Sequence, residues 1–197
     1  MVLRIYFNDG GLDHFEWHLQ KLQPSRDTLR SLMREIPFFS EIVNDLLVRF
    51  GRDPRCKQFI VSDANSEFIN IFISEHALQN CFDAIYTNPA YWEKGVLRIS
   101  PYVDFAVKPH GCSTCASSQN MCKGAIIEEI MQSVGTSEIL YLGDGRGDLC
   151  AAMHLRSIDT VFPREGFALH RELQKGVHEV HAQSRAWMDG ETLSGTL

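Results

Sequence analysis

The stretch Tyr141-Leu142-Gly143-Asp144-Gly145-Arg146-Gly147-Asp148 decides the reading of the fold. A short apolar run from Glu138 to Leu142 reads as a buried strand, and it enters a turn in which glycines alternate with charged residues. A helix follows to about Leu155. The same pattern occurs earlier, where Lys57 to Ser62 forms a strand running into Asp63-Ala64-Asn65, with a helix from about Ser66 to Leu78. Strands alternating with helical runs point to an α/β domain with a mainly parallel sheet.

Working outward, Val2 to Phe7 reads as a strand ended by Asn8-Asp9-Gly10-Gly11, and Leu12 to Leu22 has helical spacing. Ser25 can cap a helix carrying Leu29, Leu32, Met33 and Ile36, and Ser40 one carrying Ile42, Val43, Leu46 and Leu47. Phe82 to Thr87 reads as a strand, Gly95 to Ser100 as an edge strand, Met121 to Val134 as a helix and Thr160 to Phe162 as a last strand. Gly111 to Asn120 is polar and reads as a loop, and the tail after Gly190 reads as weakly structured.

The 197 residues suit one domain, and 44% hydrophobic with 22% charged residues is globular composition. The net charge is −6 and no Lys/Arg cluster stands out, which disfavours nucleic acid as a partner. No apolar run approaches the ~20 residues of a membrane span, and the N-terminus does not read as a signal peptide. Six cysteines are too few and unevenly spaced for a disulfide scaffold, so the expected location is cytoplasmic.

An open α/β sheet gathers its ligands at the carboxyl ends of its strands. Ser62, Asp63 and Asn65 end one strand, Asp144 and Asp148 follow another, and Lys123 lies in the first turn of a helix. A hydroxyl, an ammonium and two carboxylates on one rim suit a phosphate with a divalent metal. Carboxylates are hard oxygen ligands for Mg²⁺, and an ammonium and a hydroxyl can hold phosphoryl oxygens. Each element alone is ordinary: a strand-ending Ser-Asp is usually a turn, and a helical lysine is usually solvated. Their order and spacing together carry the signal.

These residues resemble the haloacid dehalogenase (HAD) phosphatases, and within them the phosphoethanolamine/phosphocholine and pyridoxal-phosphate phosphatase branch. The resemblance rests on Ile60-Val61-Ser62-Asp63-Ala64-Asn65, Asn88-Pro89, His110-Gly111-Cys112 with Cys115, Asn120-Met121-Cys122-Lys123, Tyr141-Leu142-Gly143-Asp144-Gly145 with Asp148, and Phe162-Pro163-Arg164, and spans about Arg26 to Trp187. It implies a single HAD-like domain over 1–197, a Rossmannoid parallel-sheet core over 55–190 and a small helical cap over 12–50 that closes over substrate. It implies hydrolysis of a small phosphorylated metabolite through an aspartyl-phosphate. Lys123 and Ser62 are then catalytic, Ser62, Asp63, Asn65 and Lys123 bind substrate, and Asp144 and Asp148 serve Mg²⁺, Asp148 directly or through water.

The family's first motif, Asp-x-Asp-x-Thr, supplies the nucleophile and the general acid, and this sequence lacks it. The carboxylates before Ser62 are Asp9, Asp13, Glu16, Asp27, Glu35, Glu41, Asp45 and Asp53, and no two are separated by one residue. Two explanations remain open. In one, the chain is an N-terminally incomplete product, and loss of the central first strand leaves two sheet edges unpaired. In the other, Val2 to Phe7 fills that slot, Asp9 is a lone carboxylate, and the protein is a slow enzyme or a pseudophosphatase that binds phosphorylated ligands. Gly147 also stands where the family commonly has Asn.

His110, Cys112, Cys115 and Cys122 lie within 13 residues and could bind Zn²⁺, or the thiols could pack a loop beside Lys123. Cys56, Cys81 and Cys150 are expected in the core, Trp17, Trp92 and Trp187 in packing roles, and His154 and His170 as ordinary histidines. A nucleotide-cofactor reading of the Gly-x-Gly-x-Gly loop fails, because too little chain follows residue 143 to build the rest of such a domain.

Overall fold

The computed structural model describes residues 2–3, 21–104, 110–115 and 121–197, with Val2 and Leu3 described by their backbone alone. Six strands form one sheet in the order β3-β2-β1-β6-β7-β8, every neighbour parallel. They are β1 (Val2–Leu3), β2 (Phe59–Asn65), β3 (Ala84–Asn88), β6 (Leu140–Gly143), β7 (Thr160–Pro163) and β8 (Gln183–Ser184). An antiparallel hairpin joins β4 (Ala90–Glu93) to β5 (Val96–Ile99).

Period-two alternation divides the sheet between two cores. Phe59, Val61, Tyr141 and Val161 face one side with Ile126, Ile127 and Ile130 of α4 (Lys123–Val134) and Ala151 and Ala152 of α5 (Asp148–His154). Ile60, Leu142 and Phe162, one residue out of step, face the other with Ile69 and Ile73 of α3 (Ser66–Glu75). Strands apolar on both faces belong inside a doubly wound sheet. The α/β fold expected from the sequence is the one observed.

β1 lies between β2 and β6, with Val2 opposite Phe59 and Tyr141, and Leu3 opposite Ile60 and Leu142. The start of the Val2–Phe7 run therefore occupies the central slot. Arg4 to Phe7, Asp9, Trp17, most of the Leu12–Leu22 run and Asn120 lie outside the described residues.

The stretch expected as a cap divides by packing. α1 (Arg26–Arg34) is capped by Ser25, whose Oγ accepts from Thr28 N at 3.1 Å. It buries Leu29 and Met33 against Phe68 and Ile71 of α3 and Leu97 and Ile99 of the hairpin. The next helix includes Ser40 instead of starting after it, winds as a π-helix over Ile42–Leu47 and continues as α2 (Val48–Arg52). Its Ile42, Val43, Leu46 and Leu47 belong to the second sheet core. Within the described 21–50 stretch, α1 thus packs on α3 and the hairpin, whereas the helix over Ile42–Leu47 joins the second sheet core.

The C-terminal tail differs from expectation. After α6 (Ala168–Gln174), α7 (Gly190–Thr196) is ordered by a capping box in which Asp189 Oδ1 accepts from Thr192 N at 2.9 Å, and its Leu193 is fully buried. A reciprocal cap of this kind offsets the low helix propensity of Gly, Thr and Ser.

Candidate active site

Three chain segments meet at the carboxyl ends of β1, β2 and β6, where a doubly wound sheet opens its crevice. β2 delivers Ser62, whose buried Oγ accepts from Ala64 N at 3.2 Å, where the register of β2 against β3 shifts between Ser62 and Asn65. This irregular stretch of β2 is held from β3. Asn88, fully buried, donates through Nδ2 to the carbonyls of Asp63 at 2.7 Å and Ala64 at 2.8 Å, and its Oδ1 accepts from Tyr102 N at 3.0 Å. Asn65 Oδ1 accepts from Phe68 N at 3.0 Å and caps α3, so its carbonyl oxygen serves the helix. Asp63 is half-exposed on the rim.

α4 begins at Lys123, which its first turn carries back to the sheet. The side chain is buried, with Nζ 2.8 Å from Asp148 Oδ1 and 3.9 Å from Asp63 Oδ1. Asp148, fully buried at the start of α5, is the most fully engaged group of the site. Its Oδ1 accepts from Lys123 Nζ and from Tyr141 Oη, both at 2.8 Å. Its Oδ2 accepts from the backbone N–H of Asp144 at 3.0 Å and of Gly145 at 2.9 Å. The carboxylate thus fixes the ammonium and folds the Gly-Asp-Gly turn around itself. Gly143 is required for this, because a Cβ there would lie 2.9 Å from both Cβ and Cγ of Asp148.

The geometry distinguishes the two acids paired in the sequence reading. Asp148 has four protein donors around it. Asp144 follows β6 directly and is 8% exposed. One carboxylate with water and phosphate oxygens matches the way Mg²⁺ is usually held, so the donor set fits that ion.

Of the residues expected at the site, Lys123, Asp63 and Asp148 are brought into contact, with the main chain of Asp144 held by Asp148. Ser62 stands within β2, and Asn65 ends that strand and caps the helix behind it. Tyr141 and Asn88 are additional supporting residues. The signal for Tyr141 was its place in the strand alternation, which turns it to the α4/α5 face. Asn88 stood in the sequence beside Pro89 with nothing local to show the contact across strands.

The cysteines group differently from the expected set. Cys112, Cys115 and Cys122 come together with Cys150, their sulfurs all within 4.8 Å of one another. His110 stands outside the group, and its Nδ1 accepts from Cys112 N at 3.2 Å. Cys150 is buried as expected, but in a thiol cluster instead of a purely apolar core. Trp187 packs as expected, its Nε1 donating to Phe162 O at 3.1 Å.

The model of the family described as "Putative Phosphatase" matches residues 12–197. The chain belongs to this family of HAD phosphatases. It is 37% identical to inorganic pyrophosphatase 1 of Arabidopsis thaliana over 87% of this chain and 59% of that protein. It is 34% identical to a thiamine phosphate phosphatase-like protein of Arabidopsis thaliana over 91% of this chain and 74% of the relative. It is 33% identical to pyridoxal phosphate phosphatase PHOSPHO2 of Mus musculus over 76% and 61%. The chain thus spans less than two thirds of the pyrophosphatase and of the mouse protein. Among solved structures, the HAD family hydrolase t0658 of Salmonella enterica serovar Typhi shares the fold with a TM-score of 0.59 at 14% identity, over 93% of this chain and 55% of that one. No helix among the described residues is long and apolar enough to cross a membrane.

Proposed function

We propose that this chain carries a Mg²⁺-dependent phosphomonoesterase site for small phosphorylated metabolites, with phosphoethanolamine, phosphocholine and pyridoxal phosphate as the substrates the family resemblance implies. The observation that carries the reading is the buried Lys123–Asp148 pair at 2.8 Å, set beside Asp144 at the mouth of the sheet. In this reading Lys123 and Ser62 hold phosphoryl oxygens and offset the charge that develops on them. Asp63 lines the rim, Asn65 orders it by capping α3, and Asp148 positions Lys123 and the turn. Asp144 would hold Mg²⁺, which supplies further positive charge at the phosphoryl group. The cap reading of the 12–50 stretch belongs to the same proposal, with α1 as its described part. So does a cytoplasmic location.

Aspartyl-phosphate chemistry also needs a carboxylate nucleophile near the end of β1. Leu3 sits opposite Ile60 and Leu142, two residues short of Ser62 and Asp144. The first carboxylate after Leu3 in the sequence is Asp9, and in this reading it is the nucleophile. A second reading, binding without turnover, is favoured by the absence of an Asp-x-Asp pair before Ser62.

The test is phosphate release, with and without Mg²⁺, from those three esters and from thiamine phosphate and pyrophosphate. The expected result is Mg²⁺-dependent release that Asp144→Asn and Asp9→Asn each abolish while the chain stays folded. No release, with vanadate still bound in a Mg²⁺-dependent way, establishes the second reading. Neither release nor vanadate binding overturns both.

A further inference from the structure

The four-cysteine cluster draws on three chain segments. Cys112 and Cys115 come from the 110–115 loop, Cys122 is the N-cap of α4, and Cys150 lies in the first turn of α5. The separations are 3.5 Å for Cys112 Sγ to Cys150 Sγ and 3.8 Å for Cys122 Sγ to Cys150 Sγ. Zn–S bonds of about 2.3 Å in a tetrahedron place neighbouring sulfurs about 3.8 Å apart. All six cysteines of the chain are free, so no disulfide accounts for the approach.

Backbone donors converge on the same sulfurs. Ala125 N donates to Cys122 Sγ at 3.5 Å. The N–H groups of Cys115 and Thr114 reach Cys112, and that of Gly124 reaches Cys150. N–H groups oriented toward the sulfurs match the surroundings of a metal–thiolate centre, where outer hydrogen bonds orient the ligands.

We propose that Cys112, Cys115, Cys122 and Cys150 bind one structural Zn²⁺ that fastens the 110–115 loop to the first turns of α4 and α5. Four thiolates in a tetrahedron select zinc among the common divalent ions and leave no open coordination position, so the ion is structural. Binding exchanges thiol protons for the metal. The ligands flank the rim, with Cys122 directly before Lys123 and Cys150 two residues after Asp148. The assignment does not depend on the phosphatase reading, since it is tested without substrate.

The experiment is elemental analysis of the full chain purified under reducing conditions without chelator. The expected content is one zinc per chain. Chelation under those conditions should remove it and lower Tm by about 10 °C. Co²⁺ added to the stripped chain should give the visible bands and thiolate charge transfer of a tetrahedral sulfur site. Cys150→Ser and Cys115→Ser should lose the zinc, whereas His110→Ala should keep it. A folded wild-type chain with neither zinc nor cobalt bands overturns the site, as does iron in place of zinc. Zinc kept by Cys150→Ser but lost by His110→Ala overturns the ligand set. If the cysteine variants do not fold, the wild-type metal content and cobalt spectrum still decide.

Discussion

A carboxylate out of reach of water stays charged only where donors replace the lost hydration, and Asp148 has two donors on each oxygen. The donors are unequal. Removing Lys123 leaves a buried charge without its partner, so Lys123→Met should cost about 3–5 kcal/mol. Tyr141→Phe removes one hydrogen bond to a charged group and leaves the ion pair, so it should cost about 1.5–3 kcal/mol. Urea denaturation of the two variants checks the order, and an equal loss would mean that the ion pair does not dominate. Because part of any Lys123 effect on phosphate binding passes through Asp148, Tyr141→Phe is the milder probe of the same carboxylate. Gly143→Ala acts from the opposite side: its methyl group would meet Asp148 Cβ and Cγ at 2.9 Å. It should lower Tm and weaken Mg²⁺-dependent vanadate binding together, because the displaced carboxylate holds both Lys123 and the turn.

At the scale of elements, α4 and α5 cross so closely that a Cβ on Gly124 would lie 2.5 Å from His154 Nδ1 and 2.8 Å from Cys150 Sγ. Gly124→Ala should therefore destabilise the protein despite alanine's better helix propensity. Gly147 is the contrasting case: its φ is −63°, and a Cβ there meets nothing within 4 Å. Gly147→Ala should be neutral or stabilising by up to about 1 kcal/mol, and thermal melts of the pair check the contrast. The helices and strands around these sites were legible in the sequence because their apolar spacing is regular. β4 was missed because it is short and follows Pro89. Its clue lay in Lys94-Gly95, where both residues take positive φ, 49° and 80°, as a tight hairpin turn demands. α7 was missed because its propensity is poor, and the capping pair Asp189 and Thr192 was the available signal. Cys150 was invisible as a partner of Cys122 for another reason: 28 residues and a strand separate them, and only the crossing of α4 and α5 brings the sulfurs together.

Across the whole molecule, acidic side chains are tied to basic ones far from the rim, and this sets the response to acid. Asp159, fully buried before β7, joins three elements. Its Oδ1 accepts from Ile139 N and from Arg156 Nη2, both at 2.9 Å. Its Oδ2 accepts from Arg156 N at 2.7 Å and Arg156 Nε at 2.9 Å. Arg156 in turn donates to the carbonyls of Gly135 at 2.8 Å and Ser137 at 2.6 Å, fixing the turn between α4 and β6. Burial raises the Asp159 carboxyl, but the Arg156 guanidinium and the backbone N–H groups outweigh it and hold the group below its ordinary value. The folded chain therefore binds this proton less readily than the unfolded chain, in which an aspartate titrates near about 3.9. The stabilisation is fully present above that value and is lost as the pH falls through the lower, folded-state one. Glu75, held down by Arg34, and Glu172, held down by Lys175, shift in the same direction and steepen the acid limb. Asp159→Asn should thus melt well below the wild type at pH 7, with the gap closing as both are taken below about pH 4. Thermal melts of the two proteins across that range check it. A gap that stays constant with pH would show that Asp159 acts through shape and hydrogen bonding alone, with no contribution from its charge.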